Sequence, residues 1–288
     1  MAPLQLDHFP EVGSFLAATG DFLGAREAEH NLMLGIAGTL RDAPEVYDDG
    51  PPLLASVAAG GAIVAVALRT PPYNLVLSEV DDLAAVDVLA DGLRAEELPG
   101  VVGPPEAVQR FAERWTERTG DGWGSQLEER IFRLKRVIAP LPTPGAMRPA
   151  VDVDRDLVVD WIVAFGEEAL PEVDAARVAA SVEDTLAGIG RRIFLWEDGR
   201  PVSLAGAGGE TPNGIRIGPV YTPPALRSRG YASALTAALS QALLDEGRRF
   251  CFLYTDLANP TSNKIYQAIG YEPVADALMV AFTRPRAA

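Results

Sequence analysis

A run of prolines, Ala139-Pro140-Leu141-Pro142-Thr143-Pro144-Gly145, cuts the 288-residue chain near its middle. Proline fixes φ and removes the backbone donor, so neither a helix nor an inner strand runs through such a stretch. Whatever the chain folds into is assembled from elements on either side. The expected organisation is one domain over residues 1–138, an extended connector over 139–147 and a second domain over 148–288. Both parts have ordinary domain size.

The second part alternates helix and strand signals. Residues 154–169 and 174–187 read as helices with acidic starts. Residues 192–197 and 202–206 read as a hairpin turned at Asp198-Gly199, and 215–222 as a further strand. A long helix over 228–246 closes at Gly247, followed by a strand over 250–255, a helix over 260–269 stopped by Gly270, and a last strand over 272–282. The first part echoes this order with strands at 61–68 and 74–79, a helix at 82–93, a short strand at 101–102, a helix at 104–118 and a strand at 129–138. The repeat is one of pattern rather than of residues. The class is α/β, of the mixed-sheet α+β kind.

Charge and composition narrow the function. The formal net charge of −15 repels phosphate backbones, which disfavours DNA and RNA as partners. Salt screens such a field over roughly 8 Å, so a local basic pocket can still hold a phosphate. Cys251 is the single cysteine, set in the apolar run Phe250-Cys251-Phe252-Leu253-Tyr254, and reads as a small buried hydrophobe. With His8 and His30 as the only histidines, no metal site is expected. The N-terminus has no basic segment followed by an apolar core, so no signal peptide is expected. The most apolar stretch, 57–68, has 12 residues where a membrane helix needs about 20, and reads as two strands turned at Gly60-Gly61. The expectation is a cytoplasmic protein with neither membrane nor nucleic acid as partner.

The chemistry-bearing segment is Ile215-Arg-Ile-Gly-Pro-Val-Tyr-Thr-Pro-Pro-Ala-Leu-Arg-Ser-Arg-Gly-Tyr-Ala-Ser233. It reads as a strand, a proline-bearing loop and a basic glycine turn that opens a helix. Backbone N–H groups at a helix start have no internal partner and sit at the positive end of the dipole, which makes a phosphate cradle. Small residues must face it, and Gly230, Ala232 and Ser233 are small; Arg227 and Arg229 add positive charge. An ordinary packed helix with arginines at its start accounts for the same residues. Gly218-Pro219 in the preceding strand marks a bulge that would free backbone groups at Val220, Tyr221 and Thr222 for an extended, amide-rich ligand. A kinked edge strand without a ligand is the plainer alternative. Farther on, Asn259-Pro260 reads as an N-cap and first helical residue, and Asn259, Asn263 and Tyr266 share one helix face. Capping alone explains Asn259, and core packing alone explains Tyr266.

Arg227-Ser-Arg-Gly-Tyr-Ala resembles the Arg/Gln-x-x-Gly-x-Gly/Ala pyrophosphate loop of the GNAT superfamily of N-acetyltransferases. The Asn259…Ser262-Asn263…Tyr266…Gly270-Tyr271 run resembles that family's later Asn…Tyr…Leu-Gly-Phe/Tyr segment. The two occur in the family's order over roughly residues 148–283. The resemblance implies tandem GNAT-like domains and acetyl-CoA as acyl donor. It implies pantetheine and acetyl contacts at Val220, Tyr221 and Thr222, and pyrophosphate contacts from Arg227, Ser228, Arg229, Gly230, Tyr231, Ala232 and Ser233. It further implies pantetheine or adenosine contacts at Asn259 and Asn263, and protonation of the leaving thiolate by Tyr266. The first half departs from the pattern: its counterpart loop reads Ser78-Glu-Val-Asp-Asp-Leu, with three acids and no glycine, so this copy is degenerate and should not bind CoA.

The expected reaction is direct attack of a primary amine on the thioester. A lysine-like amine is about three pKa units too protonated at pH 7, a cost of roughly 4–5 kcal/mol, so a base or water relay is needed. Glu167, Glu168, Glu210 and Asp256 are candidates, and surface solvation explains each of them equally well. A small-molecule amine is the favoured acceptor, with a protein N-terminus or lysine as alternatives. The rival readings are an acyl-CoA sensor without transfer activity and an acyltransferase for longer chains.

Overall fold

A computed structural model of the chain describes residues 2–47, 49–169 and 173–284. In order, the chain forms β1 (Leu4–His8), α1 (Val12–Ala25), α2 (Asn31–Asp42), β2 (Leu53–Ala59), β3 (Ala62–Arg69), β4 (Leu75–Leu77), α3 (Ala84–Gly92), β5 (Gly100–Gly103), α4 (Pro105–Thr119) and β6 (Gly122–Leu134). It continues with β7 (Ala146–Pro149), α5 (Arg155–Ala169), α6 (Ala175–Leu186), β8 (Arg192–Glu197), β9 (Pro201–Gly208), β10 (Gly214–Tyr221), α7 (Tyr231–Asp245), β11 (Phe250–Asp256), α8 (Pro260–Ala268) and β12 (Glu272–Thr283). Strand, two helices, three strands, helix, strand, helix, strand: the order occurs twice. The repeat legible as pattern is therefore real at the level of topology.

The chain divides into two compact units, Met1–Arg130 with Ala275–Ala288, and Ile131–Val274. This differs from the expected division at the prolines, and the reason is strand exchange. The first unit's sheet runs β1-β2-β3-β4-β5-β12, with Leu278 to Ala281 antiparallel to Gly103 to Gly100. The second runs β7-β8-β9-β10-β11-β6. Phe132 and Leu134 of β6 are buried in the second unit's core, and Leu278 and Val280 of β12 in the first unit's. The proline segment lies inside the second unit and is pinned there. Trp196 Nε1 donates to the Pro144 carbonyl at 2.8 Å, and Ile138 N–H donates to the Ile269 carbonyl at 2.9 Å.

The first unit's sheet is covered on both faces, the second unit's on one face and part of the other. In the first unit α3 and α4 cover one face around Leu89, Phe111 and Trp115, and α1 and α2 cover the other around Phe15, Leu23 and Met33. In the second unit α7 and α8 cover one face around Leu235, Leu239 and Tyr266. There α5 and α6 cover part of the other, around Val158 and Val182. The apolar run at 57–68 is a hairpin, β2 to β3, with Gly60 and Gly61 both at positive φ (58° and 87°), as a primed turn demands. The elements before residue 53, and β7, were not expected from the sequence. Their patterns are short and their burial partial, so no period stands out.

Candidate active site

The site is built at the end of β10. Ile215 and Ile217 anchor this strand in the core under α7. Against β9 the register runs Arg216↔Gly208 and Ile217↔Ala207, then shifts to Val220↔Ala205 and Tyr221↔Leu204. One extra residue is thus inserted at Gly218-Pro219, a bulge at the expected place. Gly218 has φ 149°, and a Cβ on facing Gly206 would lie 2.7 Å from the Gly218 carbonyl oxygen, so only glycine permits the approach. On its other side β10 pairs in parallel with β11 through Gly214↔Phe250, Ile215↔Cys251 and Arg216↔Phe252, and there the pairing ends. Beyond Arg216 the two strands part, and the edge of β10 from Gly218 to Tyr221 that is turned toward β11 has no strand partner among the described residues. Ser203 holds the strand end in place, donating to the Tyr221 carbonyl at 3.0 Å and meeting the Thr222 hydroxyl at 2.8 Å.

The loop then passes through Pro223 and Pro224 and turns left-handed at Ser228 (φ 63°) and Gly230 (φ 84°) before α7 begins at Tyr231. These two residues explain why the helix starts three residues later than its apolar pattern implied. Gly230 stands at the N-cap and no side chain caps α7. By contrast Asp174 caps α6 through the N–H groups of Ala176 and Arg177, and Asn259 caps α8 through Ser262. The first N–H groups of α7, at Tyr231, Ala232 and Ser233, therefore face outward at the positive end of the helix dipole, where an anion with acceptor oxygens fits. Thr143 of the proline segment lies beside this turn: a Cβ on Gly230 would sit 2.9 Å from its hydroxyl oxygen.

The two arginines have different fates. Arg229 is exposed, 3.4 Å from the Ala225 carbonyl and close enough to the Tyr231 hydroxyl to act on it, with no carboxylate paired to it among the described residues. Arg227 turns back instead: Nε donates to the Thr222 carbonyl at 2.9 Å, the guanidinium meets both Glu168 oxygens at 2.7 Å, and it lies 5.8 Å from the Tyr221 ring centroid. Tyr231 sends its hydroxyl to Asp198 at 2.7 Å, which leaves its backbone to the loop.

The third group is also committed. Asn259 Oδ1 accepts from Ser262 N–H at 3.1 Å. Asn263 accepts from the Thr255 hydroxyl and donates to the carbonyls of Asp256 and Asn259, at 3.2 and 3.0 Å. Asn263 thus ties β11 to α8, and Asn259 caps the helix. Tyr266 is 9% exposed and packs edge-on to Tyr271 at 6.0 Å. Burial pushes its phenol up to about 12, and among the described residues no donor reaches its oxygen.

Residues 198–280 match the model of the FR47-like protein family. No curated protein matches the chain. A Drosophila protein of solved structure superposes with a TM-score of 0.68 at 14% identity, over 98% of this chain and 99% of that one. A tandem GNAT protein from the clavulanic acid biosynthesis pathway does so with 0.61 at 15% identity, over 99% and 100%. A GCN5-related N-acetyltransferase from Sphaerobacter thermophilus gives 0.57 at 15% identity, over 99% and 98%. The chain has the tandem GNAT fold.

Within that tandem GNAT fold the counterpart region of the first copy is built differently. Strand β4 stops at Leu77, and a Cβ on Gly103 of β5 would lie 2.8 Å from the Leu77 carbonyl oxygen. In the acidic loop that follows, the Asp82 carboxylate accepts from Ala84 N–H at 2.9 Å, so the start of α3 has its own anion. The N–H of Glu79 donates to His30 Nε2 at 3.0 Å, while Nδ1 lies 3.0 Å from the Leu23 carbonyl. Burial lowers the His30 pKa and raises that of Glu79. Sequence reasoning missed His30 because its partners are 49 and 7 residues away.

Among the four base candidates, Glu168 is paired with Arg227, Glu210 with Arg248 at 2.5 Å, and Asp256 accepts from Ala258 N–H at 2.7 Å. Glu167, exposed on the last turn of α5, acts electrostatically on Tyr221, whose phenol is raised by burial first and by Glu168 next. Cys251 is buried, its thiol pushed up to about 12 by that burial, so it is no nucleophile. Among the described residues no group of His, Cys, Asp and Glu is arranged to hold a metal, and no helix is long and apolar enough to cross a membrane.

Proposed function

We propose that the chain is an acetyl-CoA-dependent N-acetyltransferase whose second unit binds one acetyl-CoA and passes its acetyl group to a primary amine. One observation carries this reading: the unpartnered edge of β10 beyond its bulge leads directly into an α7 start with no side-chain cap. The fold supports it, because the clavulanic acid pathway's tandem GNAT protein and the Sphaerobacter N-acetyltransferase share it.

The N–H groups of Tyr231, Ala232 and Ser233 hold the pyrophosphate, with Ser228 and Gly230 shaping the turn and Arg229 supplying charge. Val220, Tyr221 and Thr222 offer backbone groups to the pantetheine amides, and an N–H of this stretch meets the oxyanion as the amine attacks. Arg227, Asn259 and Asn263 keep the walls in place rather than touching the donor. Tyr266 stays protonated at any working pH and supplies the proton as the C–S bond breaks. Of the four candidate bases, Glu167 alone has no hydrogen-bond or ion-pair partner among the described residues, which makes it the group for drawing the proton from the amine.

Calorimetric titration with acetyl-CoA tests the reading, with an expected stoichiometry near one per chain; a value near two would place donor in the first unit as well. Thiol release with an amine panel separates an enzyme from an acyl-CoA sensor, which binds and never releases CoA.

A further inference from the structure

The bulge in β10 is held by a residue that belongs to neither the loop nor the helix framing the donor site. Between Ile217↔Ala207 and Val220↔Ala205 the register sets two residues, Gly218 and Pro219, opposite the single Gly206. Proline brings no N–H to a ladder and glycine turns freely, so neither residue fixes where the Gly218 carbonyl points. Arg191 does: its Nη1 donates to that carbonyl oxygen. Arg191 immediately precedes β8, with its own N–H on the Ile189 carbonyl at 2.8 Å and its neighbour Arg192 paired with Ala207. To reach the bulge its side chain crosses β9, and β9 carries glycine at both crossings. A Cβ on Gly208 would lie 3.2 Å from Arg191 Cβ and Cγ. One on Gly206 would lie 3.2 Å from Arg191 Cδ and 2.7 Å from the Gly218 oxygen. Gly206 and Gly208 alternate with Ala205 and Ala207, which are buried under α7, so the side chain crosses on the opposite face.

This contact bears on the reacting end of the site through the backbone. Pro219 has no N–H, so the first donor after the Gly218 carbonyl is the N–H of Val220. The pyrrolidine ring locks the Pro219 φ. Once the Gly218 carbonyl is held, a single soft torsion, the Pro219 ψ, separates it from the peptide plane that carries the Val220 N–H. A donor to a developing oxyanion works by being aimed before the charge appears. A guanidinium suits the task, because it is charged at any working pH and a charge-assisted hydrogen bond is stronger than a neutral one. Glycine weakens the interior of a strand, and β9 accepts two of them where this side chain passes.

We propose that Arg191 is a positioning residue for acetyl transfer: by holding the Gly218 carbonyl it aims the Val220 N–H at the thioester oxygen of the bound donor. The proposal rests on the N-acetyltransferase reading above. Calorimetry on the full chain first gives the acetyl-CoA Kd for wild type, Arg191→Met, Arg191→Lys and Gly206→Ala. Infrared difference spectra of acetyl-CoA isotope-labelled at the thioester carbonyl then report the hydrogen bond to its oxygen, with no acceptor needed. In wild type the carbonyl band should move to lower frequency on binding. Arg191→Met should lose at least half of that shift while the Kd stays within threefold, and Arg191→Lys should recover part of it. In thiol release with the best amine of the panel, Arg191→Met should lower kcat at least tenfold and leave KM within threefold. Gly206→Ala keeps the arginine and blocks its path; it should lose the shift likewise, and it gives the same reading if Arg191→Met does not fold. A shift absent from wild type, or unchanged in Arg191→Met and Gly206→Ala, would overturn the proposal. So would a shift lost only together with a tenfold loss of acetyl-CoA affinity, in Arg191→Lys as in Arg191→Met, because that marks a merely structural arginine. Failure of wild type to bind acetyl-CoA, or to release thiol with any amine, would instead remove the N-acetyltransferase reading beneath it.

Discussion

Replacing Tyr266 by phenylalanine removes one proton donor and little else. The ring stays in the core beside Tyr271, and the lost hydroxyl has no partner among the described residues, so no buried group is orphaned. The expected change in stability is within about 0.5 kcal/mol. The chemical effect is larger. With the phenol at about 12 and a thiol near 8.5, full transfer to a free thiolate lies some 3.5 units uphill, or about 5 kcal/mol. The proton must therefore move while the C–S bond is breaking, under general acid catalysis, which typically contributes 10²–10⁴-fold. Tyr266→Phe should lower kcat by a factor in that range and leave the acetyl-CoA Kd within about twofold. A pH profile adds a second reading. A phenol at about 12 keeps its proton through pH 10, so wild-type kcat should show no alkaline limb from Tyr266 in that range. Thiol release under saturating donor between pH 7 and 10 measures both. Turnover of the variant within twofold of wild type would refute the assignment and leave Tyr266 a packing residue.

Arg229→Glu should weaken acetyl-CoA binding by about 1–3 kcal/mol, since Arg229 is the loop guanidinium not tied to a carboxylate; Arg227→Ala should cost the fold at most about 1 kcal/mol, because its pair with Glu168 is exposed. Unchanged affinity in Arg229→Glu would move the pyrophosphate elsewhere. Gly230→Val forces a β-branched residue to φ 84° and sets a Cβ 2.9 Å from the Thr143 hydroxyl oxygen, so calorimetry should show at least a tenfold loss of acetyl-CoA affinity together with a lower Tm. His30 makes the first unit acid-sensitive. Its folded pKa lies below the unfolded 6.5, so the unfolded chain takes the proton first; the contribution is complete above about pH 6.5 and is lost as pH falls below it. Glu79, raised by burial, titrates in the opposite sense, so the measurement is a comparison: urea midpoints at pH 7.5 and 5.5 should fall further for wild type than for His30→Gln, and equal falls would sink the idea.

Local chemistry made much of this protein legible in its sequence. Glycine followed by proline inside a strand foretold the β10 bulge, because one residue tolerates unusual φ and the other cannot donate to a ladder. Asn259-Pro260 foretold a capped helix start, and Gly60-Gly61 a hairpin, since both depend on residues only a few positions apart. Tandem topology followed from a repeated order of periods. What the sequence left open was decided by contacts between distant residues. Which sheet β6 and β12 complete depends on pairing across more than 100 residues, and no local signal chooses it. Arg227 and Arg229 are alike in sequence, yet Glu168 on α5, 59 residues earlier, pairs with one and not with the other. Tyr266 shares a helix face with two asparagines, but the depth of burial that pushes its phenol up is set by the core beneath α7 and α8. Arg191 reaches the Gly218 carbonyl, 27 residues on, only because β9 lies between β8 and β10 and carries glycine where the side chain crosses.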